Sequence, residues 1–256
     1  MTTITAADTP LVQYALRLGD NPLVLGHRLS EWCGHGPMLE EDIALANVAL
    51  DLIGQARALY AYAGEAEGKG RGEDQLAYLR DAGGYRNVLL VEQPNGDFAA
   101  TIARQFLYAA FMAPFWRALA ASRDGTLAAV AAKAEKEAAY HLRHAAEWLI
   151  RLGDGTAESH GRAQAALDEL WMYTGELFET DAVERGLIER GVAVEPAALR
   201  PEWDETVDRV LAEATLARPP DGWMQTGGRT GRHSEHLGYI LAELQFLQRA
   251  YPGAKW

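Results

Sequence analysis

Residues 98–121, FAATIARQFLYAAFMAPFWRALAA, decide the fold class because the helix that they predict is apolar on almost every side. Asp97 directly precedes this run as a suitable N-cap, and Asn95-Gly96 predicts a turn before it. A helix at a protein surface keeps one polar face, whereas a helix that is apolar all round is typical of a buried position. The stretch therefore predicts a helix surrounded by other helices.

Three more long helices are predicted on either side of this one. Apolar residues recur at helical spacing over residues 10–33, where Gly19, Asp20 and Pro22 predict a break or restart midway. A second helix is predicted over about 40–63 and a fourth over about 126–152. Shorter helices are predicted at about 160–179, 181–190, 202–217 and 234–250, and no stretch alternates as a strand does. The fold class is therefore all-α, a four-helix bundle with additional C-terminal helices.

The domain organisation follows from the same pattern. We expect a single helical domain over residues 1–256, with a flexible segment at 1–9, a core bundle at about 10–153 and additional helices at about 160–250. The Gly-rich, charged residues 64–75 indicate a solvated loop rather than a domain boundary.

Composition excludes several classes of function. The formal net charge is -12, so the chain lacks the positive field that attracts a nucleic-acid backbone. The one cysteine, Cys33, cannot form an internal disulfide and is predicted to be a small buried group. The N-terminal residues show no basic stretch before an apolar run, and no window is apolar enough to span a bilayer. These features favour a cytoplasmic protein that binds neither nucleic acid nor membrane.

A long all-α bundle raises the question of a two-metal carboxylate site. Such sites use Glu-x-x-His pairs, because residues three apart share one helical face. None of the seven histidines has Glu or Asp three residues before it. The sequence also lacks a Gly-x-Ser-x-Gly elbow, a Walker-type phosphate loop and a paired cysteine motif.

Several blocks of the sequence carry a family resemblance that runs from about Leu11 to Trp256. The blocks are LRLGDNPLVLGHRLSEWCGHGPMLEEDIALANVALDLIGQAR, LLVEQPNGDFAATIARQF, KEAAYHLRHAAEWLIRLGDGT, TGGRTGRHSEHLG and LAELQFLQRAYPGAKW. They occur in order and include both loop and helix segments. In these blocks the chain resembles the C subunits of bacterial phenylacetyl-CoA epoxidases.

The resemblance implies a ferritin-like fold and a structural role beside a homologous catalytic A subunit. The two subunits would form a heterodimer or a higher assembly with other epoxidase components. The resemblance further implies that the di-iron site lies in the A subunit and that this chain holds no cofactor. Electrons from NADPH would arrive through a separate reductase with flavin and iron-sulfur groups, and the complex would epoxidise the ring of phenylacetyl-CoA with O2.

The ligand positions of the catalytic relative can be compared with this chain. Its second helix bears Asp followed by Glu-x-x-His, where this chain has Asp51 followed by Leu52 and Gln55. Its fourth helix bears Lys-Glu-Glu-x-x-His, where this chain places Ala138 at the ligand Glu and keeps His141. The resemblance implies a degenerate site in which two further positions hold Glu31 and Gln105.

These polar residues suggest a core without metal. If Glu31, Gln55, Gln105 and His141 face one another, each needs hydrogen-bond partners, because an unpaired buried polar group costs about 1 to 3 kcal/mol. A proton on His141 could offset the charge of Glu31. We expect the purified protein to contain no stoichiometric iron.

Two other groups of residues leave alternatives open. Glu137, His141 and His144 have a spacing that could hold a metal, but the spacing also suits ordinary hydrogen bonds on a helix face. The Gly-rich segment before His236 could bind an anion, such as a coenzyme A phosphate, or could simply dock onto the bundle. The candidate anion contacts are Arg229, Arg232 and His233. The aromatic residues of the third helix indicate core or a partner-facing surface, namely Phe106, Tyr108, Phe111, Phe115 and Trp116.

The leading function is thus a non-catalytic structural subunit. The first alternative is a metal-dependent, di-iron oxygenase that is active in its own right. The second alternative is an independent homo-oligomeric binding protein, which co-purification with an A-type subunit would distinguish.

Overall fold

A computed structural model describes residues 3–254, and the predicted single domain therefore includes four residues, 1–2 and 255–256, outside the described part. Between residues 3 and 254 the regular elements are helices, with no strand. The fold class is the expected one, all-α and ferritin-like with additional C-terminal helices. The α-helices are α1 Pro10–Ser30, α2 Leu39–Glu67, α3 Glu73–Tyr78, α4 Leu89–Glu92, α5 Phe98–Leu119, α6 Gly125–Gly153, α7 Ala157–Leu170, α8 Ala182–Glu189, α9 Arg200–Glu213, α10 Glu235–Leu244 and α11 Phe246–Ala250.

The chain divides into two compact units. Unit 1 comprises residues 1–35, 42–93 and 227–256, and unit 2 comprises residues 36–41 and 94–226. Unit 1 contains α1 and most of α2, and unit 2 contains α5 and α6, so each unit holds two of the four long helices. None of the helices within residues 3–254 is long and apolar enough to cross a membrane.

In unit 1, two glycines bring α1 and α2 into close contact. A Cβ atom added to Gly19 would lie 2.8 Å from the ring of Tyr60, and one added to Gly26 would lie 3.1 Å from Ile53. The contacts move seven residues forward on α1 and about seven residues back on α2, so the two helices are antiparallel. Gly26 also lies beside Leu52. Glycine at these positions is explained by close packing within the chain.

The predicted break in the first helix is wrong, because α1 is continuous from Pro10 to Ser30 with Pro22 inside it. The residues that indicated a break have other roles. Gly19 admits Tyr60, and the Asp20 carboxylate accepts hydrogen bonds from groups beyond the helix. The side chain of Asn21 accepts a hydrogen bond from the Val88 N–H at 2.8 Å. Polar residues in the middle of α1 thus anchor neighbouring segments instead of ending the helix.

In unit 2, α5 and α6 form an antiparallel pair connected by residues 120–124. Asp97 caps α5 by accepting a hydrogen bond from the Ala100 N–H at 2.9 Å, as the sequence predicts. The pair is aligned at its open end by an edge-to-face contact between Phe98 and Trp148, whose ring centroids lie 5.1 Å apart. The helices α7 and α9 pack against both α5 and α6. Trp203 of α9 is fully buried and donates its indole N–H to the Leu107 carbonyl.

Two further expectations are corrected, one about the last helix and one about Cys33. The single helix expected over 234–250 is two helices that are separated at Gln245. The Gln245 side chain donates to the carbonyls of Ala77 and Arg80, each at 3.0 Å. Cys33 is exposed rather than buried, because α1 has already ended at Ser30.

Before α1, two backbone groups of the N-terminal segment are hydrogen-bonded to other residues of unit 1. The Ile4 N–H donates to the Leu79 carbonyl, and the Ala7 N–H donates to the Glu67 carboxylate. Flexibility over residues 1–9 stays a prediction, and residues 1–2 lie outside the described part.

Candidate functional site

The degenerate metal positions on α2 are buried in unit 1. Leu52 and Gln55 are 2% and 5% exposed. At the level of Leu52 the backbone of α1 lies in van der Waals reach, since a Cβ on Gly26 would stand 3.4 Å from the Leu52 Cβ. An apolar side chain therefore fills the position at which the resemblance implies a carboxylate in the catalytic A subunit.

Glu31 does not lie at the level of these positions. Gly26 is level with Leu52, and Glu31 is five residues further along, which is roughly 7 Å along the helix axis. Gln55 lies still further away, because α1 and α2 are antiparallel. The Glu31 side chain is 40% exposed and forms an ion pair with Arg28 at 3.0 Å. Glu31 is thus a surface residue at the end of α1, contrary to the prediction that it faces Gln55 in a buried polar core.

The other degenerate positions lie in unit 2 on α5 and α6. Gln105 is seven residues after Phe98, and His141 is seven residues before Trp148. Because the helices are antiparallel with the same rise per residue, Gln105 and His141 lie at the same level of the pair. Both are buried, as is Ala138. The predicted hydrogen bonding among Gln55, Gln105 and His141 stays a prediction.

Gln105 is unusual because its amide is buried without a hydrogen-bond partner. The residue is 1% exposed, and neither its Nε2 nor its Oε1 has a partner among the described residues. A buried amide of this kind costs free energy unless a water molecule or another polar group satisfies it. The Gln105 amide between α5 and α6 therefore has a donor and an acceptor that the described residues do not use.

The side chains at these positions do not fit a two-iron centre. Such a centre needs several carboxylates to offset the metal charge, whereas Leu52 and Ala138 offer no donor atom and Gln55 offers a neutral amide. Within residues 3–254, no group of three or more His, Cys, Asp or Glu side chains is arranged to hold a metal ion.

The possible metal spacing on α6 comprises Glu137, His141 and His144, and the structure gives His144 and Glu137 polar partners within the chain. The His144 Nε2 lies 2.8 Å from the Glu41 Oε2, and its ring stacks on Tyr140 at 6.1 Å between centroids. Glu137 forms an ion pair with Lys133 at 3.3 Å. The histidine of this face is thus paired with a carboxylate at the start of α2, which is the ordinary alternative to a metal site.

The Gly-rich segment that follows residue 226 packs tightly against the rest of unit 1. A Cβ on Gly228 would lie 2.2 Å from the Asn87 carbonyl, and one on Gly231 would lie 2.6 Å from the Gly83 carbonyl. Gly231 also has a left-handed φ of 85°, which other residues rarely adopt. Glycine is needed here because two backbones meet. The segment is docked, as the second of the two alternatives expects.

His233 holds the docked segment through Glu92. The His233 Nδ1 lies 2.8 Å from the Glu92 Oε2, and its Nε2 lies 3.1 Å from the Tyr85 carbonyl. Ser234 donates both its N–H and its hydroxyl to the Glu92 Oε1, and Asn87 donates to the Oε2. Glu92 is fully buried and has four donors around it. The interactions of Glu92 therefore lie within unit 1.

The protonation state of His233 follows from these contacts. Both ring nitrogens face oxygen acceptors, and only the doubly protonated imidazolium can donate to both. Burial lowers the pKa of His233, but the hydrogen bond to Glu92 and the charge of that carboxylate outweigh burial and raise the pKa above its ordinary value. Both ring nitrogens of His233 are thus engaged by acceptors within unit 1, and a contact between His233 and an external anion stays a prediction.

The two arginines of the same segment differ in exposure. Arg229 is buried, and its carbonyl accepts a hydrogen bond from the Arg17 Nη2 at 3.3 Å. Arg232 is exposed. Anion contacts at these two residues stay predictions.

Sequence reasoning missed a buried charged cluster in unit 1. Arg80 and Asp20 are both fully buried and form an ion pair through two pairs of atoms. Tyr60 donates its hydroxyl to Asp20 at 2.5 Å, and the Arg86 N–H donates to the same carboxylate at 2.7 Å. The Arg80 guanidinium also donates to two carbonyls and lies over the Tyr85 ring. A carboxylate inside an apolar helix was the signal that could have identified this cluster.

Burial and the Asp20 charge raise the pKa of the Tyr60 phenol well above its ordinary value, so Tyr60 stays a donor. Burial opposes the charge on Arg80, but Asp20 outweighs burial and raises the pKa of this guanidinium. The Arg80 guanidinium therefore keeps its charge in this buried cluster.

Five aromatic residues of α5 are buried, which is the core alternative left open by the sequence. The exposed fraction is at most 5% for Phe106, Tyr108, Phe111, Phe115 and Trp116.

Comparison with known proteins gives two matches. The family described as "Phenylacetic acid catabolic protein" matches residues 1–256. The chain is also 52% identical, over 246 residues, to the C subunit of the 1,2-phenylacetyl-CoA epoxidase of Escherichia coli (strain K12). That alignment covers 96% of this chain and 99% of the relative.

Proposed function

The chain belongs to the family of phenylacetic acid catabolic proteins, and from this membership we propose that it is a structural subunit of a phenylacetyl-CoA 1,2-epoxidase. The observation that carries the proposal is the 52% identity to the C subunit of such an epoxidase over nearly the full length of both chains. Because the alignment covers 96% of this chain and 99% of the relative, the same role in the assembly is the simplest inference.

We propose that the chain itself is non-catalytic. The supporting observation is the chemistry at the degenerate positions, where Leu52, Gln55 and Ala138 stand in place of ligands. Glu31, the acidic residue expected to remain, is a surface residue at the end of α1. The contribution of this chain would then be to hold and orient a catalytic partner.

The proposed partner is the homologous A subunit, which would carry the di-iron site in the same cytoplasmic complex. A separate reductase with flavin and iron-sulfur groups would deliver electrons from NADPH. The complex would insert one oxygen atom of O2 into the aromatic ring of phenylacetyl-CoA and reduce the other to water.

The test is reconstitution with and without the partner. We expect the purified chain alone to give no O2-dependent consumption of phenylacetyl-CoA and to contain no stoichiometric iron. With the A subunit and the reductase, we expect turnover and co-elution of the two subunits. Turnover by this chain alone, or two irons per chain, would refute the structural role in favour of an oxygenase active in its own right.

A further inference from the structure

A polar cavity in unit 1 lies between the segment before α1 and the segment after α3. It is lined by residues 3–6, by Gln13 of α1 and by Asp81, Gly83, Gly84 and Arg86. All of these residues belong to unit 1. The cavity volume is about 250 Å³. One water molecule occupies roughly 30 Å³, so the cavity has room for an ion of several atoms.

Arg86 brings to this cavity a positive charge that no carboxylate neutralises by an ion pair. Its Nε donates to the Gln13 Oε1 at 3.2 Å, and its Nη1 donates to the carbonyls of Gly83 and Tyr85, each at 2.7 Å. All three acceptors are neutral. Within residues 3–254 the Arg86 side chain forms no ion pair, and its Nη2 has no hydrogen-bond partner. A half-buried guanidinium thus keeps donors that an anion can use.

The other charges around Arg86 do not compensate it. The Asp20 carboxylate is already in an ion pair with Arg80, and Arg17 is a further buried cation that acts on Arg86. Burial lowers the pKa of the Arg86 guanidinium. Asp20 and the exposed Asp8 oppose this lowering, whereas the charges of Arg80 and Arg17 add to it. Because a cation that is partly removed from water needs a counter-charge, these surroundings favour an anionic ligand.

The carboxylate on the cavity lining, Asp81, is paired with another residue. Its Oδ1 lies 3.0 Å from the Arg249 Nη1 and accepts a hydrogen bond from the Thr3 hydroxyl at 3.3 Å. The Asp81 side chain is 62% exposed, so solvent screens its charge. The Thr5 hydroxyl, also on the lining, has no hydrogen bond to the described residues. The cavity therefore offers a guanidinium and a hydroxyl as donors.

We propose that this cavity binds a phosphate-type oxyanion, with Arg86 as the charged contact and the Thr5 hydroxyl as a neutral one. The fork of a guanidinium suits phosphate oxygens, and a tetrahedral anion has further oxygens for the hydroxyl. The site differs from the anion contacts that the sequence predicts. None of Arg229, Arg232 and His233 lines this cavity. The proposal does not depend on the proposed function.

The test is a titration of the full-length chain with inorganic phosphate, with chloride replaced so that the ionic strength is constant. A ligand that binds only the folded state raises the Tm until the site is saturated. We expect such a saturable rise with phosphate and a smaller one with acetate. The general stabilisation by phosphate as a salt does not saturate and is shared by every variant.

Gly83→Asp tests the site without removing any of its contacts. A Cβ added at Gly83 meets no atom within 4 Å, so the side chain has room. The new carboxylate competes for Arg86, and we expect the apparent phosphate Kd to rise roughly tenfold or more. Gly83→Asn is the matched control, because it adds a side chain of the same size without the charge and should keep phosphate binding.

Two arginine variants locate the charged contact. Arg86→Gln removes the guanidinium and should abolish the saturable rise in Tm. Arg232→Ala removes an exposed arginine that is outside the cavity lining, so phosphate should bind as it does to the wild type. If Arg86→Gln does not fold, the Gly83 pair still decides the question.

Four results would overturn the proposal. The first is a wild-type Tm without a saturable phosphate effect, and the second is an equal effect of acetate, which would remove the preference for phosphate. The third is phosphate binding that Gly83→Asp leaves unchanged or that Gly83→Asn weakens equally. The fourth is a loss of binding in Arg232→Ala, because the contact would then lie in the docked segment.

Discussion

The two units bury polar groups in opposite ways. In unit 1, the Asp20 carboxylate accepts hydrogen bonds from Arg80, Tyr60 and the Arg86 backbone. In unit 2, the Gln105 amide is equally buried and makes no hydrogen bond among the described residues. A complete network is tightly constrained by folding, whereas an incomplete one marks a position that folding does not require to be polar. Asp20 is therefore expected to stabilise the folded state, whereas the polarity of Gln105 is not needed for folding.

The largest expected effect comes from breaking the network of unit 1. Asp20→Ala leaves the Arg80 charge buried without its carboxylate, and we expect a loss of about 3 to 5 kcal/mol in the free energy of unfolding. Urea denaturation measures this loss. The control is Glu202→Ala, which breaks the exposed ion pair with Arg117 and should cost less than about 1 kcal/mol. Equal losses for the two variants would contradict the comparison.

The second effect depends on pH and on His233. The folded-state pKa of His233 is raised, so its contribution to stability is complete below the ordinary imidazole pKa of about 6.5. The contribution is lost as pH rises through the raised pKa of the folded state. His233→Leu should cost about 1 to 3 kcal/mol at pH 6, because Glu92 loses a donor.

Thermal unfolding across pH 5 to 9 measures the pH effect. As the pH rises from about 6.5 to 9, the wild type should lose stability, and His233→Leu should lose less over the same pH values. A difference between wild type and variant that is constant at every pH would show that His233 is not charged in the folded protein.

The smallest effect is expected in unit 2 and has the opposite sign. Gln105→Leu removes a buried amide without a partner and fills similar space, so we expect stability to be unchanged or to rise by about 1 kcal/mol. The same urea experiment measures it. A loss greater than about 1 kcal/mol would show that a water molecule or another group satisfies the amide. Gln13→Leu is the matched control, because its amide contacts Ala7 and Arg86 in unit 1 and its loss should destabilise the protein.

The long helices were predictable because their signals are local. The Asp97 cap and the apolar run after it identify α5 to within two residues, and α6, Gly125–Gly153, lies within one residue of the predicted 126–152 at each end. The break expected at Pro22 was wrong for a reason that no local pattern contains. Asp20 and Asn21 are explained by distant partners, such as Arg80 for Asp20 and Val88 for Asn21, which are at least 60 residues away. Hydrogen bonds to distant segments thus explain the polar residues that, by local pattern alone, predicted a break in α1.

The candidate site was predictable in its chemistry but not in its geometry. The identity of Leu52 and Ala138 already argues against metal ligation, because neither side chain has a donor atom. The level of Glu31 depends on the register of α1 against α2, which the contacts of Gly19 and Gly26 set. Likewise, the partner of His233 is Glu92, 141 residues earlier, which no local pattern identifies.

The His233–Glu92 pair has a consequence for the order of events on the ribosome. Unit 1 is built from distant parts of the chain, and its docked segment begins at Gly227. All but six residues of unit 2 lie in the continuous stretch from Pro94 to Thr226, and that stretch leaves the ribosome earlier. The contacts of Glu92 with His233 and Ser234 form only after residue 234 has been synthesised. The Asp20 network, whose members lie between residues 20 and 86, can thus form before the docked segment reaches Glu92.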